Sequence, residues 1–432
     1  MKHAIVGSLT ALLAGAGLAL AQQPDEVLPR PRTLSATPSE VPADQVGTAG
    51  VPMPTYGGDG GSADGPAPSF MAPVCGSLSA PFRYWIGGDY HLWWLKQNRY
   101  PALLVAATPN DIQTIAGGND LDRPLRNGGG MTLGGWITDY QGFGLEGSWF
   151  VMEPGTKSFG TTGTGAAGSA NILRPFFDVT TGQEEFLPVS VPGQTSGTAT
   201  GSSMGIQCDS GRFAGAGVDF IGNLCCDCNS YRVDFLIGYR YLMLDDRFTM
   251  ATTTDFPAGD PLGTVTTVSD SINTTNRFNG GELGLRGEWH SDCWLVKGTV
   301  KAAFGDNQEG ADFSGLTSFL SPTLGATNFN SGFLVRPSNS GSVTKEAFAI
   351  VPEADLAIGY QVGTWLRFTV GYSILYWSNV VRSGDQVNLN INPREVPTLT
   401  PPSTLTTITP APMLKCTNFW AQGLNVGLEL RF

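Results

Sequence analysis

Phe419-Trp420-Ala421-Gln422-Gly423-Leu424-Asn425-Val426-Gly427-Leu428-Glu429-Leu430-Arg431-Phe432 is the stretch whose reading decides the fold. From Trp420 onward every second residue is large and apolar, apart from Gln422. Asn425, Glu429 and Arg431 stand between them. A period of two gives a strand with one apolar and one polar face. Its length exceeds the roughly five or six residues of a typical soluble strand and suffices to cross a bilayer at a tilt.

Working back along the chain, the same pattern occurs in ten segments: about 83–96, 129–139, 142–153, 211–223, 231–246, 275–290, 293–306, 345–360, 364–379 and 417–432. The gaps between them alternate, long then short. The short ones fall at Tyr140-Gln141, Leu224–Ser230, Ser291-Asp292 and Gln361–Gly363. Short periplasmic turns alternating with long external loops are the pattern of an outer-membrane barrel, and both ends of the ladder fall on the short-turn side. In 231–246, Val233, Phe235, Ile237, Tyr239, Tyr241 and Met243 share one face. In 364–379, Leu366, Phe368, Val370, Tyr372, Ile374 and Tyr376 do the same. Side chains this large on nearly every strand overfill one small lumen, so the apolar face is expected to point outward to outer-membrane lipid. Aromatic residues on that face form two expected girdles at the membrane boundaries. Tyr84, Trp289, Trp294, Tyr360 and Phe432 lie at the short-turn ends, and Trp94, Trp149, Tyr241, Tyr376 and Trp420 at the long-loop ends.

Composition agrees. Charged residues are 14% of 432, and glycines number 57, against about 25% and about 7% in an ordinary soluble protein. The net charge of -12 argues against nucleic acid as a partner. After residue 21 no apolar run is long enough for a membrane helix. Residues 1–21 read as a signal peptide: Lys2, an apolar core Ala4 to Leu20, then Ala19-Leu20-Ala21 as cleavage site. Residues 22–81 hold eleven prolines with many Gly and Ser, and read as a disordered periplasmic tether. Residues 82–432 are expected to form an all-β, transmembrane, antiparallel up-and-down barrel of about ten strands. Two loop segments read as hairpin extensions of the wall, Ile172–Val179 with Glu185–Val191, and Phe248–Thr254 with Thr264–Ile272. If one of these spans, the count is twelve.

Two resemblances add to this reading. The terminal strand, with Val426, Leu428, Leu430 and Phe432 alternating to a final Phe, resembles the last strand of bacterial outer-membrane barrels. That likeness implies an assembly signal read by the barrel-assembly machinery. Tyr84-Trp85-Ile86-Gly87-Gly88-Asp89-Tyr90-His91-Leu92-Trp93-Trp94-Leu95-Lys96 resembles the opening strand of the beta-barrel porins of planctomycete bacteria. Gly142 to Phe150 and Tyr231 to Tyr241 are similar to further strands of that family. The resemblance covers about residues 80–432 and implies a barrel in the outer membrane. It carries over neither substrate nor catalytic residues.

The inward positions are rich in charge. The acidic ones are Asp89, Glu146, Asp219, Asp234, Glu282, Glu288, Glu353, Asp355 and Glu429. The basic ones are Arg232, Arg240, Arg286, Lys297, Lys301, Arg367 and Arg431. A ten-strand wall has a backbone radius of about 10 Å, which opposed long side chains largely fill. The expectation is a narrow, mixed-charge lumen, either a path for small solutes or ions or a closed plug. His91 and Asp89 could pair as a base and its orienting carboxylate, but lumen ion pairing fits their mid-strand position better. His290 has no evident partner. Cys208 and Cys416 fall on the outer side. Cys75, Cys225, Cys226, Cys228 and Cys293 fall on the inner side. Export permits disulfides, with Cys208–Cys416 expected outside and two bridges within the inner group. The spacing of Cys225, Cys226 and Cys228 is too tight for a usual zinc site, and the chain has no phosphate or dinucleotide motif. No cofactor, metal or enzyme activity is therefore expected. Two functions remain open: a narrow porin-like channel, or a structural or surface-interaction barrel acting through its long loops.

Overall fold

The computed structural model describes residues 82–118, 121–163, 165–192, 201–227, 230–256, 264–398 and 414–432. The expected signal peptide, the tether, Cys75 and Cys228 lie outside them. The described strands, in chain order, are β1 (Tyr84–Leu95), β2 (Tyr100–Thr108), β3 (Asp111–Gly118), β4 (Leu125–Trp136), β5 (Phe143–Met152), β6 (Gly155–Gly163), β7 (Asn171–Asp178) and β8 (Gln183–Ser190). They continue with β9 (Gly201–Asp227), β10 (Tyr231–Phe256), β11 (Thr264–Ser291), β12 (Trp294–Ser321), β13 (Gly325–Phe329), β14 (Gly341–Gln361), β15 (Leu366–Val381), β16 (Asn390–Ile391) and β17 (Cys416–Arg431).

Ten of these close a ring in the order β1-β4-β5-β9-β10-β11-β12-β14-β15-β17, with β17 returning to β1. Every pairing around it is antiparallel. The seam runs from Trp85 opposite Arg431 to Leu95 opposite Ala421. It is completed where the Phe432 amide donates to the Tyr84 carbonyl at 3.0 Å and the Tyr84 amide to the Phe432 carbonyl at 2.8 Å. Closure leaves no unpaired edge, which a bilayer requires of any β structure.

The ring has ten strands, not twelve. Phe248–Thr254 and Thr264–Ile272 are continuations of β10 and β11, which stay paired out to Phe256 opposite Thr264. Ile172–Val179 and Glu185–Val191 correspond to β7 and β8, which belong to a second sheet. The second segment, expected at 129–139, begins earlier than its sequence pattern suggests, at Leu125 of β4. Gly128 and Gly130 sit inside β4, because a Cβ there would lie 2.4 Å from the Met152 sulfur and 2.5 Å from His91 Nε2. Their glycines blur the alternation but let β1 and β5 side chains lie flat on the wall.

Outward apolar residues stand exposed on all ten strands, among them Leu133, Phe220, Leu285, Val300, Leu356 and Leu428. All ten girdle aromatics face the same way, Tyr241 and Tyr360 being the least exposed. Trp294 packs on Tyr360 and Tyr84 on Phe432, with ring centroids 5.0 and 6.1 Å apart. Beyond the long-loop girdle, β9 to β12 rise as an extended sheet, with β6 on β9 and β13 on β12. The inner face of this extension carries Ile206, Phe248, Met250, Val268, Ile272 and Phe313. The second sheet, ordered β16-β7-β2-β3 with β8 on β7, covers them through Tyr100, Leu104, Ile172 and Phe176. Burying each large apolar side chain contributes about 1.5–3 kcal/mol, so this core holds the loops onto the extension as a cap.

Candidate functional site

The lumen is layered. On β12 the inward residues, from the short-turn end, are Leu295, Lys297, Thr299, Lys301, Ala303, Gly305, Asn307, Glu309, Ala311 and Phe313. On β10 they are Arg232, Asp234, Leu236, Gly238, Arg240, Leu242, Leu244, Asp246, Phe248 and Met250. Charge, apolar residues, charge and apolar residues succeed one another along the axis.

The base is narrowed by a cluster of Trp85, Trp136, Ile221 and Leu236, with Phe82 against them. Arg232 lies over Trp136 at 3.9 Å and Arg431 over Phe82 at 4.3 Å, as cation–π contacts. Arg232 also pairs with Asp234 at 2.8 Å.

Above the base is a polar chamber of about 250 Å³. The seventeen inward residues anticipated from sequence line this chamber or the base, or pair with residues that do. Arg286 holds Glu146 through two bonds of 2.5 and 3.2 Å, and Trp85 Nε1 donates to the same carboxylate at 2.9 Å. Lys301 bridges Asp219 at 2.5 Å and Glu282 at 3.0 Å. Arg240 pairs with Glu353, Arg431 with Glu429, and Arg367 with Glu429 at 3.4 Å. Glu288 meets His290 at 3.4 Å, Arg431 at 3.7 Å and Lys297 at 4.0 Å. His290 thus has a partner that the sequence did not show. Asp89 and His91 do not form a dyad. His91 Nδ1 contacts Asn425 Oδ1 at 2.7 Å, which also accepts from Trp93 Nε1 at 2.7 Å.

The chamber ends at a septum. Trp93, Phe150, Phe213, Leu242, Phe278, Val351, Trp377 and Phe419 point inward, and the last six are almost or fully buried. Trp93 packs on Phe150, Phe150 on Phe213 and Phe213 on Phe419, with centroids 5.4, 5.1 and 5.0 Å apart. This corrects the expectation that bulky apolar side chains all face lipid: a second set fills the lumen's middle. The sequence carried the signal as doublets. Trp93-Trp94, Trp149-Phe150, Tyr241-Leu242, Tyr376-Trp377 and Phe419-Trp420 each pair an outer-girdle aromatic with an apolar neighbour. Alternation must send that neighbour inward.

Beyond the septum a buried polar layer pins the loops. Asp122 accepts from the Asn98 amide and from Ser210 Oγ, both at 2.6 Å, and pairs with Arg126 at 3.2 Å. Arg382 pairs with Asp246 and lies 3.8 Å from Asp122. Asn276 Nδ2 donates to the Val381 carbonyl at 2.8 Å. These residues escaped sequence reading because most lie in loops or beyond the spans, where no face was assigned. In the cap, burial holds the Arg336 guanidinium down to about 10, with Glu395 and Asp270 opposing the shift.

The expected outer bridge is absent: Cys208 and Cys416 are free thiols. Cys208 points into the cap core, where burial pushes it up to about 12. Cys416 is exposed and donates to Glu309 Oε2 at 3.1 Å. Cys225 is free and exposed, while Cys293 is buried and disulfide-bonded to a partner outside the described side chains. Among the described residues there is no cluster of His, Cys, Asp and Glu fit for a metal ion.

Among solved structures, the chain is similar to the outer membrane protease OmpT from Escherichia coli, at 10% identity and a TM-score of 0.38, covering 82% of this chain and 97% of that one. It is also similar to the deltaS2S3 mutant of TodX, a monoaromatic hydrocarbon channel, at 10% identity and a TM-score of 0.20, covering 82% and 91%. The P. putida toluene transporter TodX matches at 8% identity and a TM-score of 0.18, covering 82% and 90%. No curated protein matches the sequence. The family model described as Putative beta barrel porin-7 (BBP7) matches residues 85–432, a span that takes in the whole ring but for Tyr84, and the chain belongs to that family of outer-membrane β-barrels.

Proposed function

We propose that this barrel is closed to solutes and works at its long-loop end, presenting its capped extension outside the cell. The septum is the observation that carries this reading. Its side chains come from the hydrogen-bonded wall strands themselves, not from a loop or plug domain that could swing away. Opening it would mean repacking about eight large buried side chains, each worth about 1.5–3 kcal/mol. On this reading residues 1–21 are a cleaved export signal and 22–81 a periplasmic tether. Val426, Leu428, Leu430 and Phe432, exposed on the outer face, are what the barrel-assembly machinery recognises. The work is binding or display, not catalysis, since His91 is committed to Asn425 and sits on the far side of the septum from the cap.

The second reading, a narrow porin-like channel, is favoured by the family's name and by the mixed-charge chamber. Planar-bilayer recording separates the two. The expected result is silence from the intact barrel and discrete steps from a Trp93→Ala, Phe150→Ala, Phe213→Ala triple variant. Ohmic steps from the unaltered protein would overturn the closed-barrel proposal.

A further inference from the structure

We propose that the chamber beneath the septum is a blind binding site, reached from the short-turn end, for a small organic ammonium ion. Three observations converge on it. The first is its charge. Each basic side chain on the chamber wall has an acidic partner: Arg286 with Glu146, Arg240 with Glu353, Arg367 with Glu429, Lys301 with Asp219 and Glu282, and Lys297 with Glu288. The reverse does not hold. Among the described residues Asp89 forms no ion pair and accepts no hydrogen bond, and Asp355 accepts only from Ser373 Oγ. The uncompensated charge is therefore negative, and an occupant that balances it is a cation.

The second is shape. Gly87 lines the cavity two residues from Asp89, and its missing side chain leaves room there: a Cβ would have no heavy atom nearer than 3.7 Å. Over Gly427, Asp89 Oδ1 and Thr369 Oγ1 converge, 2.0 and 2.9 Å from where a Cβ would stand. The volume of about 250 Å³ equals about eight waters at liquid density, room for a short alkylammonium or diammonium ion. Trp93 and Phe150 form the septum side of the cavity, and such faces attract organic cations. The lack of three convergent metal-type ligands among the described residues separates this site from a divalent-metal site.

The third is access. A smaller cavity of about 30 Å³ in the base shares Glu146, Arg286, Lys297 and Glu429 with the chamber and reaches Phe82 and Arg431. The septum shuts the opposite end. The site thus faces the side that the short turns face, and it holds its ligand without passing it on.

Calorimetric titration of the detergent-folded barrel with 1,4-diaminobutane and with tetramethylammonium tests this. Magnesium and sodium chloride are titrated alone as controls. Expected is saturable binding of the diamine at micromolar to millimolar concentration. Asp89→Asn and Asp355→Asn should each weaken it at least tenfold while keeping the heat-modifiable gel shift that reports a folded barrel. Trp93→Phe should weaken tetramethylammonium more than the diamine. No heat from either ammonium ion, binding equal in both Asp variants, or equal binding of magnesium alone would overturn the proposal. Conductance does not enter these outcomes, so they stand or fall apart from the closed-barrel reading.

Discussion

At the residue scale, Glu146 shows how much a single inward charge depends on distant parts of the chain. It joins Arg286 and Trp85, 140 and 61 positions away. Alternation put Glu146 on the inner face, but only ring closure chose its partners. Removing one member of a buried pair strands the other charge and costs about 3–5 kcal/mol. Glu146→Gln should therefore lower the temperature at which the compact gel form converts to the slow form. Adding Arg286→Met should restore part of the loss. The cysteines give a second test at this scale. Burial, with Glu309 beside it, pushes the Cys416 thiol up to about 11. Below that value the reactive thiolate rises tenfold with each pH unit. Maleimide labelling of Cys416 should accordingly be slow at pH 7.5 and about ten times faster at pH 8.5. Cys225 should label readily, and Cys208 only after unfolding. Peptide mapping that found Cys208 joined to Cys416 would contradict the structure.

Among the elements, the lipid-facing half of most spans was legible because one face alternates with few breaks, glycine-rich β4 being the exception. The lengths were not. Of 26 to 28 residues in β10, β11 and β12, the pattern identified the lower part, where outward residues are large, and set Phe248–Thr254 and Thr264–Ile272 apart as a separate hairpin. Farther out the outward positions turn to Thr249, Ala251, Ser269, Ser271 and Ser314; too small to mark a lipid-facing span, they hid that the strands run on unbroken. The two regions should respond differently to the same change. Val300→Arg, at an exposed mid-span position, should cost about 2–4 kcal/mol, read as a lower midpoint in urea titration of the barrel refolded into vesicles. Ser271→Arg, beyond the girdle, should cost under about 0.5 kcal/mol. Equal costs would mean that the apolar face does not meet lipid.

For the whole molecule, the ring and the cap are supported by different solvents. Lipid and closed backbone pairing hold the ring, and an apolar core of loops and extended strands holds the cap. Replacing residues 99–121 with a short Gly-Ser turn removes Tyr100, Leu103, Leu104, Ala116 and Leu121 from that core. The ring should still assemble and migrate as a compact species. Limited proteolysis should then cut the extension near 205–210 and 248–254, segments expected to resist in the unaltered protein. The barrel should also stay silent in a planar bilayer, since the septum belongs to the wall.

The sequence by itself determined the strand number near ten, the order of short and long connections, and which face of each span is apolar, because all three follow from a local period of two. Tertiary structure alone decided the septum, the chamber and the pairing of charges. Those depend on which inward side chains meet across a closed ring some ten strands around, and no period along one strand records its neighbours on the far wall.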